Sequence, residues 1–304
     1  MKVFKISIMY FMLLFMLISC ATQTLQKRIH QVVTVGSDGI SQAMPVGNKF
    51  WQNSDYIDKT TLYGLTANES TTIAVGVNGV IFQSSTIKQW QQIKNIPTDS
   101  WLYAASYHRN KFIVVGMNGV ILSSSDLTNW TLQQSGTYNW LRGITYGQDK
   151  FIVVGDNGTI LTSSDGALWN KENSVVTDFL SSVTYGIDKF VAVGESGSII
   201  YSVDAINWKA VKPITDKWIY SIVFGNGKYI AVGENGLILS SNDGILWRKV
   251  GQNSTSITIN SITYTGNEFI AVGNWGLILR SDNGDDWSVG SSRDQISLYA
   301  ICVF

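Results

Sequence analysis

Six similar units, four strand-like segments in each unit, and a partial unit at either end of the chain predict an all-β fold: a seven-bladed β-propeller with four-stranded antiparallel blades. Composition points the same way. Of 304 residues 45% are apolar and 14% charged, enough for a full core, while 28 glycines, 3 prolines and 11 Trp, 13 Tyr and 12 Phe favour strands joined by tight turns over helices.

The N-terminus reads as a processing segment and is set apart from the fold. Lys2 and Lys5 stand beside a continuous apolar run, residues 6–18 (ISIMYFMLLFMLI), and Leu17-Ile18-Ser19-Cys20 follows. The run is short of the ~20 residues that span a bilayer. The tetrapeptide resembles a bacterial lipobox, which implies that residues 1–19 are a signal peptide, that the Cys20 sulfur carries a diacylglycerol, and that residues 20–31 tether the ring to a membrane. Ala21 after the acylated cysteine implies the outer membrane where the cell has one. The expected location is the bacterial cell envelope, on its periplasmic or surface side.

Cleavage there would remove two lysines, taking 22 basic groups to 20 against 22 acidic ones, a net charge of about −2. Nucleic acid is therefore excluded as a partner, because phosphate binding needs a basic stripe. With Cys20 acylated, Cys302 is the only thiol left, and no intramolecular disulfide can form. Packing must supply the stability.

The stretch FIVVGDNGTILTSSDGALW, residues 151–169, could pass for a ligand loop. The same pattern, however, ends at Trp90, Trp130, Trp169, Trp208, Trp247 and Trp287, at steps of 39 or 40 residues. A feature present in every unit is scaffold. Ahead of each stands one more strand, beginning at Leu62, Leu102, Leu141, Leu180, Ile219 and Ile259. Then come a strand ending in Val-Gly, a two-residue turn such as Asp156-Asn157 or Glu234-Asn235, a Gly-x-Ile-Leu-like strand and a short strand near the tryptophan. The bracketing glycines are expected to take the positive φ of a tight hairpin.

The chain ends complete the count. VVTVGSDGI, from Val32, has no first strand ahead of it, and LYAICVF, residues 298–304, is a first strand with nothing after it. Pairing strand 297–304 with strands 32–51 closes a seventh blade and leaves the ring, residues 32–304, without open edges. The third position of the seven first strands is small throughout: Gly64, Ala104, Gly143, Ser182, Ser221, Ser261 and Ala300. That suits strands converging on a narrow axis. Cys302 falls beside Ser106, Thr145, Thr184 and Thr263 and reads as a small packing residue.

Ser163-x-Asp165-Gly166-x-x-Trp169, Ser241-x-Asp243-Gly244-x-x-Trp247 and Ser281-x-x-Gly284-x-x-Trp287 resemble the Asp-box, or bacterial neuraminidase repeat, of many propellers. Leu127 and Ala205 stand where the box has glycine, Thr86 where it has aspartate, and the boxes are one residue short of the family form. These residues are expected to be structural: serine and aspartate satisfy backbone N–H groups and the tryptophan fills the gap between blades. The pattern of residues 32–304 also resembles the seven-bladed propellers of the photosystem II assembly factor type and their non-photosynthetic bacterial counterparts. That resemblance implies binding or assembly work rather than catalysis.

A sialidase would carry an arginine triad. Beyond the leader the chain has Arg28, Arg109, Arg142, Arg248, Arg280 and Arg293, of which only Arg142 sits in a first-strand column, and no arginine-proline motif stands near the start. His30 and His108 form no metal set or catalytic triad, so neither metal nor cofactor is expected. Asp156, Glu195 and Glu234 occupy equivalent turns on successive blades at an expected spacing of ~10 Å, the outer end of the ~5–10 Å that two glycosidase carboxyl groups need. A glycoside hydrolase is the last of the alternatives.

The favoured site is the face on which those turns meet the connections into the first strands. Trp101, Trp140, Phe179 and Trp218 lead into first strands, and Tyr63, Tyr103, Arg142, Tyr220, Asn260 and Tyr299 follow as second residues of those strands. Tyr, Trp and Arg are the types that anchor interfaces. Trp275 replaces the Asp38, Asn78, Asn118, Asn157, Ser196 and Asn235 of the other turns, so repeat packing does not require it. The expected function is an envelope scaffold presenting this face, with Asp156, Glu195 and Glu234 on it, to a protein partner. A carbohydrate-binding propeller, its tryptophans stacked on a glycan, is the alternative.

Overall fold

The computed structural model describes residues 31–48, 51, 55–251, 254–291 and 295–304. The expected signal peptide, Cys20 and tether residues 20–30 lie outside the described residues. Seven four-stranded antiparallel sheets form the ring. Blades 1 to 6 run in chain order over residues 62–92, 102–133, 141–172, 180–210, 219–249 and 259–291. In blade 2, strands Leu102–His108, Lys111–Gly116, Ile121–Ser124 and Thr131–Gln133 lie side by side. First strands pack on the first strands of both neighbouring blades, so they form the inner wall.

Blade 7 closes the ring as expected, with Leu298–Val303 innermost, then Gln31–Gly36, Ile40–Pro45 and Asp55–Tyr56. Val33 pairs with Cys302 and Val35 with Ala300, and Thr34 Oγ1 donates to the Ala300 carbonyl at 2.8 Å. The outermost strand lies beyond residue 51, where the sequence pattern placed its end. Trp51, 39 residues before Trp90, keeps the repeat's tryptophan spacing in this blade and packs against the layer between blades 6 and 7.

The second strands explain why this sequence builds a ring of sheets. Lys111–Gly116 is buried from Phe112 to Gly116, as a strand covered on both faces must be. Phe112 and Val114 enter the apolar layer shared with blade 1, and Ile113 and Val115 the layer shared with blade 3. The period of two thus feeds alternate side chains of one strand to two neighbours. Seven such layers stand between the seven pairs of adjacent blades. Each fully buried Val or Ile contributes roughly 1.5–3 kcal/mol, so a polar residue at Val114 would cost two blades their contact. Cys302 is half-buried in the layer between blades 7 and 1.

The turn between second and third strands spans three residues, not the expected two. In blade 2 it is Met117–Gly119, with Asn118 at φ 56° and Gly119 at φ 72°. The glycine ahead of it departs from expectation: Gly116 is extended, at φ −165°. It is required by space. A Cβ there would stand 2.1 Å from the Trp101 carbonyl oxygen and 3.0 Å from Leu102 Cα.

On the opposite face, the first-to-second hairpins and third-to-fourth turns come together. Ser163 Oγ accepts from the Gly166 N–H at 2.8 Å, and Asp165 Oδ1 from the N–H groups of Ala167 and Leu168 at 2.8 and 3.0 Å. Ser241 and Asp243 repeat this around Gly244, and Ser281 accepts from the Gly284 N–H. Trp247 and Trp287 return Nε1–H bonds to the carbonyls of Gly244 and Gly284, whereas Trp169 Nε1 is buried without a partner. All three tryptophans pack in the layers between blades. Ile87, Leu127 and Ala205 hold the glycine position at φ 67°, 62° and 66°. That conformation costs a non-glycine residue ~1–2 kcal/mol, which the serine and tryptophan bonds of the turn offset. Lysines at the start of second strands join the blades across this face: Lys111 Nζ donates to the Asp165 carbonyl at 2.6 Å and Lys150 Nζ to that of Asp204 at 3.2 Å.

Candidate functional site

Every first strand slips by one residue against its second strand at the same place. Leu62 pairs with Gly76 and Gly64 with Val75, leaving Tyr63 unpaired. The slip recurs at Tyr103, Arg142, Ser181, Tyr220 and Asn260, and in the closing blade at Tyr299. These are β-bulges, which turn an extra side chain out of the ladder. Here all seven are turned to the axis, where Tyr63, Tyr103, Arg142, Ser181, Tyr220, Asn260 and Tyr299, with Trp218, line a cavity of about 210 Å³.

The small residue after each bulge lets the strands come this close. A Cβ on Gly64 would stand 2.8 Å from the Tyr103 carbonyl and 3.0 Å from Ala104 Cα. The next blade's backbone occupies the space a side chain would need.

Aromatic rings run around most of the wall. Tyr63 touches Tyr299, Tyr103 and Trp101 at centroid distances of 5.5, 5.6 and 6.0 Å, and Tyr103 meets Trp140 at 6.0 Å. Farther round, Phe179 meets Trp218 at 5.9 Å and Trp218 meets Tyr220 at 6.0 Å. Arg142 bridges the two arcs: its Cζ lies 5.3, 5.5 and 5.6 Å from the rings of Trp140, Phe179 and Tyr103. Its Nε bonds Asp156 Oδ1, and Nη2 donates to Oδ2 at 3.3 Å.

Burial pushes the Tyr103 hydroxyl up to about 12, with Arg142 working in the opposite direction. Burial also raises Tyr63, with Tyr299 adding to it, and Tyr220, with Glu234 adding to it. At neutral pH the wall therefore presents neutral hydroxyls that both donate and accept. A tyrosinate nucleophile is disfavoured at Tyr63, Tyr103 and Tyr220.

Six of the expected face residues (Tyr63, Tyr103, Arg142, Tyr220, Asn260 and Tyr299) meet in this one cavity. Asn260 Nδ2 donates to Asn274 Oδ1 and to the Leu298 carbonyl, both at 2.9 Å, which leaves its own amide oxygen for other work. The expected acidic residues have internal roles. Asp156 holds Arg142, while Glu195 and Glu234 accept from the backbone N–H groups of Phe179 and Trp218 at 3.5 and 3.2 Å, fixing the chain as it turns into the first strand. Trp275 does not line the cavity; it stands 68% exposed in its turn on the same face, at φ 56°. Ser181 escaped the sequence reading because a serine carries no chemical signal, although its column does. His108 is remote, stacked on Tyr146 at 4.7 Å on the hairpin side. Among the described residues no three His, Cys, Asp or Glu side chains are grouped to hold a metal ion.

No family model and no curated protein matches the sequence. Solved structures do. YCF48 from Cyanidioschyzon merolae superposes with a TM-score of 0.62 at 15% identity, over 78% of this chain and 87% of that one. YCF48 bound to D1 peptide gives 0.61 at 15% identity, over 84% and 86%. Selenomethionine-substituted virginiamycin B lyase from Staphylococcus aureus gives 0.68 at 14% identity, over 78% and 86%. The fold is what they share. A peptide-binding protein and a lyase on one scaffold leave function to the side chains of this funnel.

Proposed function

We propose that this protein is a non-enzymatic binding propeller whose funnel face receives a segment of a protein partner. The observation that carries the reading is the set of Tyr and Arg side chains turned inward by the bulges and packed against Trp101, Trp140, Phe179 and Trp218. Such side chains give large rigid contact area at low entropic cost, and neutral tyrosine hydroxyls match the N–H and C=O groups of an extended chain. The carboxylates nearby are engaged by the chain itself, which favours recognition over acid–base chemistry. YCF48, solved with a D1 peptide, gives a precedent for peptide binding on this fold.

The proposal includes attachment to the bacterial envelope through lipidated Cys20, which the lipobox-like Leu17-Ile18-Ser19-Cys20 supports. Substitution Cys20→Ala is expected to release the chain into the soluble fraction; persistence in the membrane fraction would overturn lipid anchoring. Partner binding is tested by affinity capture from detergent-solubilised envelopes with the wild type beside Tyr103→Ala. A protein retained by the wild type and lost with the variant is the expected result, and equal retention would remove the funnel from the reading. A second reading, glycan binding, is favoured by the exposed indoles of Trp101 and Trp275, 40% and 68% exposed. Retention of envelope polysaccharide in place of protein, lost with Trp275→Ala, would put it first.

A further inference from the structure

Two features of the hairpin face play no part in the funnel. The first is where the ring's chain begins. In blades 1 to 6 a turn on this face joins first strand to second, whereas in blade 7 the two chain ends meet there. Gln31 N–H donates to the Phe304 carbonyl at 2.8 Å and Phe304 N–H to the Gln31 carbonyl at 2.7 Å. Whatever precedes Gln31 is therefore joined to the ring on the hairpin face. From Cys20 to Gln31 an extended chain reaches at most ~40 Å.

The second feature is an arc of exposed apolar side chains on three consecutive blades of that face. Leu168 and Leu246, each 77% exposed, occupy the third-to-fourth turns of blades 3 and 5, and Val203 and Ile206, 57% and 49% exposed, that of blade 4. Where Leu168 and Leu246 stand, blades 1, 2 and 6 have Gln89, Asn129 and Asp286, so the turn itself does not need an apolar side chain. Ile187 tips the hairpin of blade 4, 44% exposed and at φ 43°. That backbone is costly for a β-branched residue, and other hairpins place Arg109, Gln148 and Asn226 there. A strained backbone kept at an exposed β-branched side chain calls for a contact outside the ring.

We infer that the hairpin face is the side of the ring turned to the lipid bilayer, with Leu168, Ile187, Val203, Ile206 and Leu246 seated in its headgroup boundary. This rests on the membrane attachment proposed above. Blades 3 and 4 lie across the ring from blade 7 and blade 5 lies two blades from it, so Gln31 and the centre of the apolar arc stand toward opposite edges of one face, and the ring lies flat with its funnel open away from the membrane. Exposed charges of both signs, Lys88 and Arg109 beside Asp149, Asp188 and Asp286, lie on the same face and form no basic cluster, so the contact is apolar and does not depend on anionic lipid.

The test uses the full chain, reconstituted through its own anchor in phosphatidylcholine vesicles whose acyl chains carry bromine, with a thiol-reactive fluorophore at Leu246→Cys or, on the opposite face, at Trp275→Cys. Both labelled chains also carry Cys302→Ser, the residue its column has at Ser106, so that this thiol does not compete for the label. Emission is expected to be quenched at position 246 and retained at position 275. Adding Leu168→Glu and Ile206→Glu should restore emission at 246 while the vesicle-bound fraction stays unchanged. Retained emission at 246, or quenching at 275, in vesicle-bound protein would overturn the orientation. A chain that fails to float with the vesicles would overturn the attachment and the orientation with it, and flotation is read separately from quenching.

Discussion

Asp156 holds Arg142 with both carboxylate oxygens, Oδ1 to Nε and Oδ2 to Nη2, and so keeps a guanidinium fixed among three aromatic rings. The side chains are only 23% and 13% exposed, so neither charge has water enough to replace the other. Asp156→Ala is expected to cost about 1–3 kcal/mol in urea unfolding, the usual consequence of stranding a buried donor. The double variant Asp156→Ala, Arg142→Met should be less destabilised than the sum of the singles. Strict additivity would show that the pair is not coupled.

Closure through the last strand makes the ring one cooperative unit. Deleting residues 297–304 removes the partner of Gln31–Gly36 and opens the layers between blades 6, 7 and 1. Thermal unfolding is expected to lose its cooperative transition or to shift it far down. An unchanged Tm would mean that blade 7 is dispensable.

Two glycines separate crowding from backbone conformation. Gly136 has φ 70° and open space around its missing Cβ, so Gly136→Ala should cost only the left-handed penalty, ~1–2 kcal/mol. Gly116 is extended but faces the Trp101 carbonyl at 2.1 Å, and Gly116→Ala should cost more than ~4 kcal/mol, because backbone rather than a side chain must yield. Similar losses for both, measured by denaturant unfolding, would contradict the account given of the turn.

The aspartates of the third-to-fourth turns make the fold acid-sensitive. The backbone and side-chain N–H groups of Asn129 hold the Asp126 carboxyl down to about 2, and the N–H groups of Ala167 and Leu168 lower Asp165. Asp204 is lowered chiefly by the Asn207 side chain. Because these folded values lie below the unfolded ~3.9, their stabilisation is complete above that pH and is lost as pH falls toward the folded values. Tm should therefore hold steady from these groups between about pH 5 and 8 and drop below about pH 4. The triple variant Asp126→Asn, Asp165→Asn, Asp204→Asn should show a shallower acid slope; an unaltered slope would assign the acid sensitivity elsewhere.

The blade count and the closing strand were legible because the repeat imposes columns: the tryptophans recur at 39 or 40 residues, and Gly64 through Ala300 are small for one shared steric reason. Six of the seven bulge residues were also within reach, five because Tyr and Arg stand out by type and Asn260 because it shares their column. Ser181 did not stand out by type: its column marks the position, but the register slip is a backbone event and the side chain turned out by it varies freely. The role of Gly116 was misjudged for a related reason. Glycine answers both to positive φ and to crowding, and only the position of the Trp101 carbonyl decides between them. Glu195 and Glu234 looked like ligands to a partner because nothing local in the sequence shows that their oxygens meet the N–H groups of Phe179 and Trp218.

The sevenfold bulge separates two kinds of change in this chain. A substitution in a second strand is felt by two blades and the layers they share. A substitution at Tyr63, Tyr103, Ser181, Tyr220 or Tyr299 alters chiefly what faces the axis, because the backbone has already aimed that position, whereas Arg142 and Asn260 also tie the frame through Asp156, Asn274 and the Leu298 carbonyl. The ring thus behaves as a socket with five replaceable contacts and two that also brace the frame. Its preference for a ligand can be rewritten one blade at a time while the frame stays as it is.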